Sequence, residues 1–235
     1  MQALSGLMSL TGDANSGPLC AGMPVSDLVT PIFAKVGVLA ALFSRAKTGL
    51  GQRIDLSMLN ASVFALMPRE SDFFVTNREN ELLGNRRSQM VPYNAYRTSD
   101  GRSIMVIAHN DKFWQALLRG LELDDLIEDP RFSDNANRIA NREIVEDLLS
   151  KRFLSADVST WVARLTDADA LFAPVRGLAE VFADPQIRKD MVAKIDHPAA
   201  GEISLLANPI NLLATPAVID QPPPTLGQHS DEILS

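Results

Sequence analysis

Between residues 28 and 47 apolar side chains recur at helical spacing, with Ile32, Val36, Leu39, Ala40 and Phe43 forming one stripe. Phe33, Val38, Ala41 and Leu42 fill much of the opposite side. A helix apolar nearly all round is expected to be buried on both faces. Gly37 offers a point where another element can approach closely. Lys47-Thr48-Gly49 ends the pattern with a cation in the last turn and a glycine beyond it. In GQRIDLSML, which follows, Ile54 and Leu56 alternate with Arg53 and Asp55, the period of a short strand. Residues 57–75 return to helical spacing and are interrupted near Pro68. The first third therefore reads as helix–strand–helix, a piece of an α/β layer.

The polar stretch ENELLGNRRSQMVP, residues 79–92, marks a boundary. PYNAYRTSDGRSIMVIAH then reads as a β-hairpin turning at Ser-Asp-Gly. Helical spacing is expected over 111–120, 135–152 and 157–168, a short strand in LFAPVRG, and a short helix in GLAEVFADP stopped by Pro185. Residues 191–215 alternate apolar and polar among many Pro and Gly, which suggests strands. QPPPTLGQHSDEILS is an extended tail with a final helical turn, and residues 1–26, rich in Gly, Ser, Pro and Asn, are mostly loop. Trp114 and Trp161 sit on amphipathic patterns and are assigned to a core. Arg138 and Arg142, four apart, are assigned to a salt-bridged surface.

Composition narrows the function classes. The 235 residues, 46% hydrophobic and 22% charged, suit a globular chain of one large or two small domains. A net charge of −7 is a poor footprint for nucleic acid or an anionic membrane. A single cysteine, Cys20, forms no internal disulfide and points to a reducing, cytoplasmic setting. The start, MQALSGLMSLTG, has no Lys or Arg before its apolar residues, unlike a signal peptide. The longest apolar stretch, Val29 to Phe43, contains Lys35 and is read as too short to span a membrane. His109, His197 and His229 show no ligand spacing, and neither a P-loop nor GxGxxG occurs, so no metal and no nucleotide fingerprint are expected.

One charge stands out. In GMPVSDLVTPIFAKVGVLAAL, residues 22–42, Asp27 is the only acid, placed where the apolar run begins. Asp is a favoured N-cap, and an anion is stabilised at a helix N-terminus. Thr30-Pro31 competes for that role, since Pro suits the first helical position with Thr as the cap before it. If Thr30 caps, Asp27 is free for chemistry one turn upstream. Cys20, the other nucleophile considered, lies in SGPLCAGMP with no local cation or His to activate it.

Several stretches in order resemble the family III CoA-transferases, the CaiB/BaiF family, which includes formyl-CoA and carnitine CoA-transferases. They are QALSGLMSLTG, GMPVSDLVTPIFAKVGVLAAL, KTGLGQRIDLSMLNA, LGNRRSQMVPYNAYRTSDG, DPRFSDNANRIANR, FAPVRGLAEVFADPQ, HPAAG and LGQHSDEIL. The resemblance implies an α/β fold in which a Rossmann-like CoA-binding domain is joined to a small α/β domain, with two chains interlocked as a homodimer. It implies that residues 1–60 are a remnant of the large domain, 61–79 a linker helix, 80–185 the small domain, and 186–235 a segment returning to the large domain. The family's N-terminal CoA-binding half normally precedes QALSGL, so a separately encoded N-terminal half is an expected partner.

The resemblance also implies roles. Asp27 falls at the family's nucleophile, Met58 in DLSML lies where a family member's Met rests against CoA, and Gly84 and Asn85 fall near the loop that covers the bound acyl group. There the sequence reads GNRRSQM, less glycine-rich than its relatives. The adjacent Arg86 and Arg87 have the chemistry to attract a carboxylate or phosphate, although paired Arg in a loop is more often simply solvated. The expected substrates are an acyl-CoA and a small carboxylic acid, with no tightly bound cofactor. Two rival readings remain open: an α-methylacyl-CoA racemase of the same fold, whose His would lie upstream of residue 1, and a non-catalytic fragment that pairs through exposed apolar faces.

Overall fold

The structure is a computed structural model that describes residues 1–235. It forms two compact units, Met1–Pro174 and Val175–Ser235. The first begins with a 3-10 turn at Leu7–Leu10 and a tight hairpin of β1 (Gly12–Asp13) and β2 (Gly17–Pro18). Helix α1 (Val25–Thr48) follows, then α2 (Met58–Phe64) and α3 (Arg69–Thr76), divided at Pro68 as expected.

Helix α1 is where pattern and structure part. Its covered stripe is made mostly of small and polar residues, with one aromatic: Ser26 is buried, and Thr30, Phe33, Gly37, Ala41 and Ser44 are half-buried. The Ser62 hydroxyl of α2 donates to the Met58 carbonyl at 2.8 Å, and its oxygen lies 2.8 Å from Ser26 Oγ. Phe33 meets Phe64 edge to face, with centroids 5.0 Å apart. A side chain at Gly37 would lie 3.3 Å from Ile54, so glycine admits the connection after α1, as its position suggests. The large apolar residues face out instead: Ile32, Val36, Leu39 and Phe43 are all more than half exposed. The expectation of burial on both faces is therefore corrected, because within this chain α2 and its connection cover one stripe only.

Two further expectations change. Residues 49–57 form no strand, because Ile54 and Leu56 have no neighbouring strand to supply ladder partners. Helix α1, at 24 residues and with a window of mean hydropathy 1.7, does have the length and composition to cross a membrane, contrary to the shorter estimate from Val29–Phe43. Lys35 lies well inside it, and the core helix of a soluble protein meets the same criteria, although little of this helix is covered within the chain.

The well-packed core lies between Val91 and Leu165. Strands β3 (Tyr93–Arg97) and β4 (Ser103–Ile107) form the expected hairpin, and β5 (Phe172–Pro174) adds antiparallel to β4. Helices α4 (Asp111–Gly120), α5 (Asn135–Ala140), α6 (Arg142–Phe153) and α7 (Val158–Asp167) accompany this sheet. Asn110, Asp134 and Asp157 cap α4, α5 and α7 by accepting from backbone N–H groups of the first turn. Ile104, Val106, Leu117, Leu149, Phe153 and Trp161 are fully buried between sheet and helices, and both tryptophans belong to this core.

Arg138 corrects the surface assignment. It is fully buried, and a break at Asn141 puts it on α5 and Arg142 on α6. Its Nε donates to the Val91 carbonyl and its Nη1 to the Phe132 carbonyl, each at 3.0 Å. Nη2 lies 3.0 Å from Asp111 Oδ1 as an ion pair, and the guanidinium sits 5.3 Å from the Trp114 ring centroid.

The second unit holds α8 (Leu178–Ala183), α9 (Pro185–Met191), the hairpin of β6 (Val192–His197) and β7 (Gly201–Leu206), and α10 (Ser230–Leu234). Pro185 does follow the end of α8, but it also opens α9. Pro fits the first helical position, and the Asp184 carboxylate accepts from Gln186 and Ile187 N–H.

Candidate active site

Asp27 lies in the first turn of α1, three residues into the helix. Thr30 does not cap it: Thr30 is inside the helix, and its hydroxyl donates to the Ser26 carbonyl at 2.7 Å. Pro24 occupies the cap position and offers no side-chain acceptor, so the helix end keeps open N–H donors beside Asp27. Pro31 sits inside the helix and has no N–H for the Asp27 carbonyl. The Asp27 carboxylate is exposed and makes no hydrogen bond or ion pair within the chain.

The approach to Asp27 is held by a residue that sequence reasoning missed. Gln2 accepts from Ala21 N–H at 2.9 Å and donates to the Met23 carbonyl at 3.3 Å, so one amide fixes the segment entering α1. No local pattern announces these contacts, which join residues 19 and 21 positions apart. Met58 opens α2, next to its N-cap Ser57, and is partly exposed. Thus α1 and α2, which carry Asp27 and Met58, pack on one another through Ser26 and Ser62. Cys20 is exposed, with its Sγ 3.7 Å from Met8 Sδ.

Gly84 and Asn85 stand elsewhere, in a turn against the β1–β2 hairpin. The Gly84 N–H donates to the Gly12 carbonyl at 2.7 Å, and Leu83 bridges to Asp13. Between the two loops lies a cleft of about 650 Å³, whose walls include Asp13, Gly84, Asn85, Arg86 and Asn94 but neither Asp27 nor Met58. Asp13 Oδ1 accepts from Asn15 and Ser16 N–H at 2.8 and 2.9 Å. Those backbone donors, with a smaller pull from Arg86, hold its carboxyl below the usual carboxylate range.

Behind Asn94, Glu146 Oε2 accepts from Asn94 Nδ2 at 2.7 Å and from the Tyr96 hydroxyl at 3.0 Å. Burial, and then the Glu146 charge, push the Tyr96 phenol far above its ordinary value, so it acts as a donor.

Gly12 is the constraint that shapes this cleft. Its φ is +119°, and an added Cβ would lie within 2.0 Å of the Gly17 carbonyl oxygen. Gly12→Ala is therefore expected to open the hairpin and detach Gly84. In amide exchange, the Gly84 N–H should lose protection while the Ile104 and Val106 amides keep theirs; unchanged protection at Gly84 would refute this.

Comparison with known proteins agrees with this architecture. The family described as CoA-transferase family III matches residues 1–230. The chain is 31% identical over 233 residues to the succinyl-CoA:glutarate CoA-transferase of Homo sapiens, covering 99% of this chain and 53% of that protein. It is 30% identical over 235 residues to the succinyl-CoA:mesaconate CoA-transferase of Haloarcula marismortui, covering 99% of this chain and 58% of that one. The crystal structure of a CAIB/BAIF family protein from Brucella suis superposes with a TM-score of 0.83 at 28% identity, over 99% of this chain and 60% of its own. The chain spans about half the length of the curated relatives it matches. With a mixed helix and sheet fold shared along its whole length, the chain belongs to CoA-transferase family III.

Proposed function

We propose that the protein moves CoA from an acyl-CoA to a carboxylic acid, with Asp27 as the nucleophile. The observation that carries this is the exposed carboxylate of Asp27, unpartnered in the first turn of α1. The Asp27 carboxylate attacks the thioester carbonyl, forming a mixed anhydride and releasing CoA thiolate. The thiolate attacks the aspartyl carbonyl of that anhydride, giving an Asp27–CoA thioester and the first acid. The acceptor carboxylate then attacks this thioester, forming a new anhydride and thiolate. Attack of the thiolate on the acceptor's acyl carbon yields the new acyl-CoA and restores Asp27. The open N–H donors at the start of α1 suit the oxyanions formed at each attack. In this reading Met58 rests against CoA, and Gly84 and Asn85 contact the substrate acid.

The outward stripe of α1, with Ile32, Val36, Leu39 and Phe43 exposed, supports a second component in the working enzyme. We assign that role to an N-terminal half, in keeping with the half-length match to relatives, within a homodimer. The test is transfer from succinyl-CoA to glutarate, followed by chromatography, with this chain alone and with such a half supplied. Glutaryl-CoA should appear mole for mole as succinyl-CoA disappears. Exchange of the α-proton of a 2-methylacyl-CoA with solvent, without CoA transfer, would overturn the reading in favour of a racemase.

A further inference from the structure

We infer that the cleft between the β1–β2 hairpin and the turn at Gly84 binds the distal carboxylate of a dicarboxylic acid, and that Arg86 recognises it. The identification of that acid as substrate rests on the transferase reading above; its binding does not. Arg86 is seven-tenths withdrawn from solvent, and its plane is fixed because Nε donates to the Leu83 carbonyl at 3.3 Å. Its ion-pair partner, Glu143, lies 3.6 Å from Nη1 and is 84% exposed, a weak contact in water. Nη2 donates to no group of the chain. A guanidinium anchored at one edge and open at another is the arrangement that grips a carboxylate.

The neighbours favour the same ligand. Asn94 has one amide hydrogen held by Glu146, and its Oδ1 accepts from Ala95 N–H, which leaves its second amide hydrogen as a donor on the cleft wall. Asn85 adds another amide. Asp13 has its Oδ1 held by two hairpin N–H groups and is not ion-paired with Arg86. The charged side chains on the cleft walls are Asp13 and Arg86, which cancel, so the cleft suits a single carboxylate held by Arg86 rather than a phosphate dianion. Asp27 does not line the cleft, so a carboxylate bound there is not the reacting one. Eight residues separate Pro18 of the hairpin from Asp27, with Gln2 holding the path between them.

The test is titration of the chain, followed by nuclear magnetic resonance, with glutarate, with valerate (the same chain length with one carboxylate) and with CoA. Glutarate should bind more tightly than valerate and shift the Gly84 and Asn94 resonances. Arg86→Met should weaken glutarate binding roughly 10- to 100-fold, the worth of a charge-assisted contact. Valerate and CoA affinities should stay within about twofold, and Arg86→Lys should restore part of the loss. Equal binding of the two acids, no glutarate binding, or an equal loss of CoA affinity in Arg86→Met would overturn the inference. Arg86-dependent glutarate binding without any CoA transfer would leave the cleft standing and remove the transferase reading instead.

Discussion

Replacing Asp27 by Ala is expected to abolish CoA transfer, lowering kcat/KM by roughly 10⁴-fold or more, as loss of a covalent nucleophile does. The fold should survive. The Asp27 side chain makes no hydrogen bond or ion pair within the chain, so its removal chiefly takes away the favourable placement of an anion at the start of α1, about 0.3–1 kcal/mol. Asp27→Asn should be inactive as well, because an amide oxygen does not form the anhydride. Steady-state kinetics beside a thermal melt separates the two effects. A variant that still turns over would remove Asp27 from the chemistry, and one that unfolds would mean Asp27 holds structure after all.

The second large effect is on stability. Arg138→Ala is expected to destabilise the core between Val91 and Leu165 by about 3–5 kcal/mol. The substitution strips partners from the buried Val91 and Phe132 carbonyls, leaves Asp111 without its cation, and opens a void beside Trp114. Arg138→Lys should recover only part, because one ammonium does not span both carbonyls and the carboxylate. Trp114 and Trp161 are the protein's two tryptophans and both lie in this core, so tryptophan emission in urea reads the transition directly. A midpoint unchanged by Arg138→Ala would contradict the role given to the buried guanidinium.

What was legible in the sequence followed from how local each signal is. Helix α4 runs over Asp111–Gly120, as its pattern predicts, because the cap at Asn110 and the apolar stripe are both set within one stretch. The hairpin of β3 and β4 was readable for the same reason, its turn lying at Ser99–Gly101. The strand expected around Ile54 failed because alternation describes a face, whereas a strand needs a paired neighbour, and none is present beside it. Helix α9 was missed because Pro185 was read only as a stop, although Pro also starts helices.

Arg138 was misplaced because its decisive partner, the Val91 carbonyl, is 47 residues away. At the candidate site, the motif around Asp27 drew attention to the residue, but its geometry did not follow from spacing. Thr30 looked like the cap, yet the helix begins at Val25. The cleft was hidden for a related reason. Its walls are joined by a hydrogen bond from Gly84 to Gly12, so Arg86 looked like one of two loop arginines until the chain had folded.

The most direct measurement is the covalent state of Asp27. The protein is mixed with succinyl-CoA, quenched in acid, digested and examined by mass spectrometry. The peptide carrying Asp27 is expected to gain one CoA with loss of one water, and Asp27→Ala to show no such peptide. A CoA adduct on another residue, Cys20 included, or no adduct at all while transfer proceeds, would contradict it.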